Sequence, residues 1–120
     1  MMDELFKSGE IHAGRDAGSY DWEITPALVR AYIDATGDNN PWYTGDSPLG
    51  GAIAPALILH SASFRNLDWY LPNVYGNLHA REECEFFAPV RVGERLHSRS
   101  LIVDRYLKRD RDYVVNETLI

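Results

Sequence analysis

The chain has 120 residues and a mass of 13.6 kDa, and 45% of its residues are apolar, which is typical of one globular domain and excludes a disordered chain. Its net charge of −6 disfavours general nucleic-acid binding. There is no apolar run of the roughly 20 residues that a spanning helix needs and no signal-peptide pattern, and the single cysteine, Cys84, cannot close an intrachain disulfide. We therefore expect one cytoplasmic domain.

The first half of the chain predicts a strand and a helix. Residues 19–24 have the pattern of a short strand, and the dipeptide Thr25-Pro26 then supplies a helix N-cap and a proline at the first helical position. Apolar residues recur at helical spacing as far as Thr36, and Gly37 is the residue type that most easily ends a helix in the left-handed region. The pattern predicts a helix over 26–36.

Turn-forming residues crowd the segment 38–51, so we expect a structured loop there. A segment that is apolar nearly all round follows from Ala54, with Pro55 at its first helical position. This composition predicts a buried helix that ends near residues 68–70.

The second half predicts an antiparallel meander. Apolar and polar residues alternate over 78–87, residues 88–94 form a turn, and further strands are expected over 95–106 and 113–120, with a charged hairpin tip between those two. Such a sheet would cover the buried helix. The fold class predicted is therefore α+β, an antiparallel sheet wrapped around one central helix.

Three motifs carry a resemblance to a known family. The first motif is Thr-Gly-Asp-Asn-Asn-Pro-Trp-Tyr-Thr-Gly-Asp over 36–46, the second is Gly-Ala-Ile-Ala-Pro over 51–55, and the third is Phe-Phe-Ala-Pro-Val-Arg-Val-Gly-Glu over 86–94. In this order they resemble the MaoC-like and FAS1-type dehydratases, which have the hot-dog fold. The resemblance implies hydration of a trans-2-enoyl thioester, or the reverse dehydration, on coenzyme A or acyl carrier protein.

The resemblance also implies catalytic positions. Asp38 matches the catalytic Asp of the family, Asn40 matches the Asn that holds the loop and a water, and the backbone N–H of Ala56 matches the oxyanion donor. The chain departs from the pattern at Tyr43, which stands where the hydratases have His, and a phenol with a pKa near 10 is a poor general base. His60 on the buried helix is an alternative base. Without the resemblance, Asp38 and Asn40 would be interpreted as a helix-end turn.

Further candidates concern substrate and carrier. Trp42 lies inside the first motif and is expected at the mouth of the tunnel that would hold the acyl chain. Ile53 of the second motif is expected to contact the acyl group. Arg91 and Arg95 either bind the nucleotide phosphates of coenzyme A or lie on a solvated surface. His12, His79 and His97 have no carboxylate or histidine at metal-ligand spacing by our interpretation of the sequence, so we expect neither a metal nor a cofactor.

Three functions remain open at this point. The chain is a dehydratase subunit or half-domain with a degenerate site that depends on a second hot-dog half, or an active hydratase, or a non-catalytic acyl-thioester binding or assembly module. A hot-dog thioesterase is disfavoured because the segment 54–65 has no acidic residue. The sequence stops within the last predicted strand, and we expect residues 1–120 to form a single hot-dog domain, with or without its final strand. An open edge of this kind predicts a dimer or a partner domain.

Overall fold

The structure is a computed structural model in which residues 10–61 and 78–120 are described. These residues form three strands, one α-helix and two short 3₁₀ helices: β1 (Asp16–Glu23), α1 (Pro26–Thr36), 3₁₀ helices at Pro41–Tyr43 and Ala56–Leu59, β2 (Arg95–Lys108) and β3 (Arg111–Leu119). The strands form a sheet in the order β1-β2-β3, and β2 and β3 are antiparallel. No helix in the described ranges is long and apolar enough to cross a membrane.

The chain divides into two compact units. The motif unit comprises Asp21–Ser61 and Glu83–His97, and the hairpin unit comprises the remaining described residues, including Ser98–Ile120. The expectation that residues 1–120 form a single domain stays a prediction.

Helix α1 forms where the sequence predicts it. The Thr25 side-chain oxygen accepts a hydrogen bond from the Leu28 N–H at 3.0 Å, which caps the first turn. Gly37 ends the helix with φ of 71° and donates its N–H to the Ile33 carbonyl at 2.8 Å. Val29 and Ile33 are buried, so the apolar stripe is the face that α1 turns to the core.

The core of the motif unit lies under α1. Val29 and Ile33 pack there with Ile24, Ala54 and Ile58. Ile24 follows β1 and both of its backbone polar groups are bonded, because its N–H donates to the Glu94 carbonyl at 2.9 Å and its own carbonyl accepts from the Gly93 N–H at 2.7 Å. The turn predicted over 88–94 is thereby attached to the end of β1.

The hairpin unit is organised by β2 and β3. Lys108 pairs with Arg111, so the loop contains only Arg109 and Asp110, with φ of 51° and 61°. Both values lie in the left-handed region, as in the type I′ turns that match the twist of paired strands. The charged tip expected between the two strands is therefore confirmed, and it is a two-residue loop.

One partly buried ion pair connects this hairpin to the start of the described chain. The Arg105 guanidinium donates to both carboxylate oxygens of Asp112, with a shortest distance of 2.6 Å, and its Nη1 donates to the Ile11 carbonyl at 3.0 Å. A planar guanidinium can make these bonds at once, which fixes the segment before β1 to the hairpin.

Two predictions require correction. Residues 78–87 form no strand, and Phe87 is 88% exposed. The prediction rested on the alternation of apolar and polar residues, which defines two faces but does not supply a neighbouring strand for the backbone to pair with. The helix predicted from Ala54 begins instead as a 3₁₀ helix at Ala56, and Leu57 on it is 56% exposed rather than buried. Its predicted continuation to residues 68–70 lies outside the described residues.

Candidate functional site

The three motifs meet in the motif unit through backbone hydrogen bonds. The Ile53 N–H donates to the Trp42 carbonyl at 2.9 Å, which joins the second motif to the first. Ile53 also forms an antiparallel bridge with Arg91, and the Ala54 N–H donates to the Val90 carbonyl at 2.7 Å. Segments far apart in the sequence are thus held side by side by their main chains.

A short 3₁₀ helix places the side chains of the first motif. Pro41–Tyr43 forms one turn, and the Asn40 side-chain oxygen caps it by accepting from the Trp42 N–H at 3.0 Å. This turn brings Tyr43 back toward Asp38, and the Tyr43 hydroxyl donates to Asp38 Oδ2 at 3.2 Å. The other oxygen, Oδ1, accepts from the Asn40 N–H at a long 3.4 Å. Asp38 itself is exposed.

The environment keeps the Tyr43 phenol neutral. Burial raises the pKa of Tyr43 above its ordinary value of 10.0, and the hydrogen bond to Asp38 and the charge of that carboxylate raise this pKa further. A hydrogen bond with the Asn40 side chain acts in the opposite direction. At neutral pH Tyr43 is therefore a hydrogen-bond donor and cannot accept a proton as a general base.

Arg91 of the third motif holds the loop between the other two motifs. Its Nε donates to the Gly50 carbonyl at 3.1 Å, its Nη2 donates to the Leu49 carbonyl at 2.8 Å, and its Nη1 lies 3.6 Å from Glu94 Oε1. Gly50 has φ of 91°, which a residue with a side chain rarely adopts. The guanidinium thus fixes a glycine-dependent turn directly before the second motif.

Ala56 begins the second 3₁₀ helix, directly after the buried Pro55. The first N–H groups of such a helix have no acceptor within it, so they are available to another group. Arg95 is exposed at the first position of β2, and Trp42 is 40% exposed. The roles of Ala56, Arg95, Trp42 and Ile53 toward a substrate stay predictions.

An open cleft of about 530 Å³ lies beside Tyr43 within the motif unit. Tyr43 lines it, whereas Asp38 and Ala56 are not among its lining residues. The other lining residues come from α1, the end of the first motif and the second and third motifs: Pro26, Ala27, Val29, Arg30, Thr44, Ala52 and Val92. Pro26, Ala27 and Arg30 were missed in the sequence because the exposed face of an amphipathic helix is ordinarily interpreted as solvent-facing.

Comparison with known proteins identifies the fold. A family model described as "FAS1-like, dehydratase domain region" matches residues 12–120. The curated relative "Nodulation protein N" from Rhizobium meliloti (strain 1021) is 28% identical over an alignment of 107 residues. The match covers 80% of this chain and 66% of that protein, so the chain spans just under two thirds of the relative's length.

Three solved structures are similar. A monoamine oxidase regulatory protein from Archaeoglobus fulgidus has a TM-score of 0.75 at 17% identity and covers 94% of this chain and 80% of its own. A MaoC-like dehydratase from Rhodospirillum rubrum has a TM-score of 0.70 at 21% identity, with 92% and 83% covered. An (R)-hydratase from Pseudomonas aeruginosa has a TM-score of 0.68 at 15% identity, with 93% and 88% covered. These likenesses confirm the predicted α+β hot-dog fold.

Proposed function

Because the chain belongs to the family of FAS1-like dehydratase domain regions, we propose that it works on an acyl thioester as a hydratase or dehydratase subunit. Its site is degenerate at Tyr43 and is completed by a second hot-dog half. The single observation that carries this proposal is the hydrogen bond from the Tyr43 hydroxyl to Asp38, at the position where the family's hydratases have His.

The reaction requires two kinds of group. Hydration adds water to the β-carbon of the enoyl thioester and a proton to the α-carbon, so the site must orient water and transfer protons, and negative charge develops on the thioester oxygen. Asp38 supplies a carboxylate that can hold the water, and the Ala56 N–H is the proposed donor to the thioester oxygen. Asn40 stabilises the turn that carries Trp42 and Tyr43.

Tyr43 has a supporting role in this proposal. Its neutral phenol occupies one lone pair of the Asp38 carboxylate and so limits the directions from which that carboxylate can receive a water proton. It cannot replace the missing base, so the proton-transferring His comes from the second half. Trp42 and Ile53 contact the acyl group, and Arg95 is the better candidate for a carrier phosphate because Arg91 is bonded to the loop before the second motif.

The non-catalytic binding module is the second candidate. The raised pKa of Tyr43 favours it, because a chain whose residue 43 cannot act as a base could still hold a thioester.

Hydration of crotonyl-CoA by the isolated chain separates these candidates. We expect weak or absent activity for the wild type, and Tyr43→His should raise it if Asp38 and Ala56 are correctly placed. The double variant Tyr43→His/Asp38→Asn is the control and should lose the gain. Strong wild-type activity that survives Asp38→Asn overturns the proposal, and a Tyr43→His variant that stays inactive although it binds the thioester favours the binding module.

A further inference from the structure

The cleft beside Tyr43 combines an apolar wall with one cation. Of its apolar lining residues Val29 is buried, Ala52 and Val92 are half-buried, and Ala27 lies on the exposed face of α1. Arg30 lies one turn after Ala27 on that face and is the charged residue of the lining. A volume of about 530 Å³ falls within the roughly 300–1,000 Å³ of small-molecule sites.

Arg30 is available for a ligand. In the described part of the chain no carboxylate or carbonyl binds its guanidinium, although Asp34 lies one turn further along α1. The motif unit is otherwise acidic, with three arginines against eight acidic residues: Arg30, Arg91 and Arg95 against Asp21, Glu23, Asp34, Asp38, Asp46, Glu83, Glu85 and Glu94. Arg91 is occupied by the loop before the second motif. An anion is therefore repelled from most of this unit and attracted to the cleft.

The cleft is also adjacent to the hydrogen-bonded pair of Tyr43 and Asp38. Tyr43 lines the cleft, while its hydroxyl bonds to Asp38. A substrate whose reacting carbons lie at Asp38 can therefore extend across Tyr43 along the wall of the cleft. A charged group on the part of the ligand that lies in the cleft would then be close to Arg30.

We propose that this cleft binds an acyl thioester through its apolar part, and that Arg30 pairs with an oxyanion of the same molecule. The oxyanion is either a carboxylate at the end of the acyl group or a phosphate of the carrier arm, since a guanidinium binds both by paired hydrogen bonds. The inference rests on the proposed function for the identity of the thioester. It adds Arg30, Ala27 and Val92 as residues that determine which thioester binds.

Calorimetry with saturated thioesters tests the inference without any reaction, because these compounds have no double bond to hydrate. The probes are octanoyl-CoA, octanoyl-N-acetylcysteamine, which lacks phosphate, and the analogue of the latter with a carboxylate at the end of its acyl chain. We expect at least one charged probe to bind about tenfold more tightly than the neutral one, as a charge-assisted hydrogen bond provides. Preference for the coenzyme A ester identifies phosphate, and preference for the carboxylated analogue identifies a dicarboxylic acyl group.

Two variants assign this binding to the cleft. Arg30→Gln should remove the tenfold preference. Lys108→Gln, which removes a charge from an exposed position of β2, should keep it. Ala27→Phe should fill the cleft and weaken all three probes, whereas Ala35→Phe changes an exposed residue of the same helix outside the lining and should not. Unchanged affinities in both Arg30→Gln and Ala27→Phe overturn the inference. Since no probe can be hydrated, this result is independent of the crotonyl-CoA assay, which alone decides the proposed catalysis.

Discussion

The Tyr43 hydroxyl donates a hydrogen bond to Asp38 Oδ2 across 3.2 Å. The four residues between them in the chain are folded into a turn by Pro41 and by the Asn40 cap, which makes this approach a local consequence of the first motif. Burial and the Asp38 carboxylate both favour the protonated phenol. The pair is thus a carboxylate with a fixed neutral donor, and its acid–base behaviour can be measured directly.

The first prediction concerns alkaline pH. The pKa of Tyr43 is raised in the folded chain, so the folded state holds this proton more tightly than the unfolded state does. The contribution of this proton to stability is complete below the unfolded value of about 10 and is lost as the pH rises through the folded value. We expect the free energy of unfolding of Tyr43→Phe to fall less steeply above pH 10 than that of the wild type, measured by urea denaturation.

Asp38→Asn provides the control for this titration. It removes the negative charge, so the Tyr43 pKa should move down toward its ordinary value, which tyrosinate absorbance shows as the difference between chains with and without Tyr43. A Tyr43 pKa that is the same in the Asp38→Asn variant and the wild type would contradict the assigned cause.

The second prediction concerns the cap of the first motif. Asn40→Ala removes the oxygen that accepts from the Trp42 N–H, so we expect a loss of about 1 kcal/mol in the free energy of unfolding. Asn40→Asp keeps an oxygen acceptor and should retain most of it. Thermal denaturation of both variants measures this difference, and equal melting temperatures for Asn40→Ala and the wild type would show that the cap contributes nothing.

The third prediction concerns Arg91. Lysine has one nitrogen and cannot bond to the Gly50 and Leu49 carbonyls in the fork geometry of arginine, so Arg91→Lys should cost about 1–2 kcal/mol of stability. Arg95→Lys is the matched control, since Arg95 is exposed and no hydrogen bond is described for its side chain, and it should stay within about 0.5 kcal/mol. Limited proteolysis should cut Arg91→Lys near Gly50 faster than the control, and an unchanged cleavage rate there would refute the clamp.

Local features of the fold follow from the sequence, and its distant contacts do not. Helix α1 was predicted with its cap, its proline and its terminating glycine because these signals act within a few residues. The strand over 78–87 was predicted wrongly, because alternation carries no information about a pairing partner. The site shows the same division: the Tyr43–Asp38 contact spans five residues, whereas Arg91 reaches a carbonyl 41 residues away. Both residues of the former lie within the first motif, and no local pattern indicates the latter.

The fourth prediction concerns the hairpin loop. Arg109 and Asp110 both occupy the left-handed region, where a side chain is unfavourable and where Asn-Gly is the preferred pair. We expect the double variant Arg109→Asn/Asp110→Gly to gain about 1 kcal/mol in free energy of unfolding. Asp110→Val puts a β-branched residue in the same conformation and should lose stability instead. A double variant less stable than the wild type in urea would show that this loop has another conformation in solution.

The last prediction is that the chain forms a dimer or a larger assembly. Strand β3 lies at one end of the sheet order, so its outer edge has no further strand of that sheet to pair with in the described part of the chain. An edge with apolar side chains favours association with another chain, and Leu119 on β3 is 66% exposed. Leu119→Lys should therefore shift the assembly toward monomer in light scattering at micromolar concentration. Leu49→Lys, which changes a 45% exposed leucine of the loop before the second motif, should leave the assembly intact. A monomeric wild type would refute the prediction, and an assembly that is unaffected by Leu119→Lys would place the interface elsewhere than at β3.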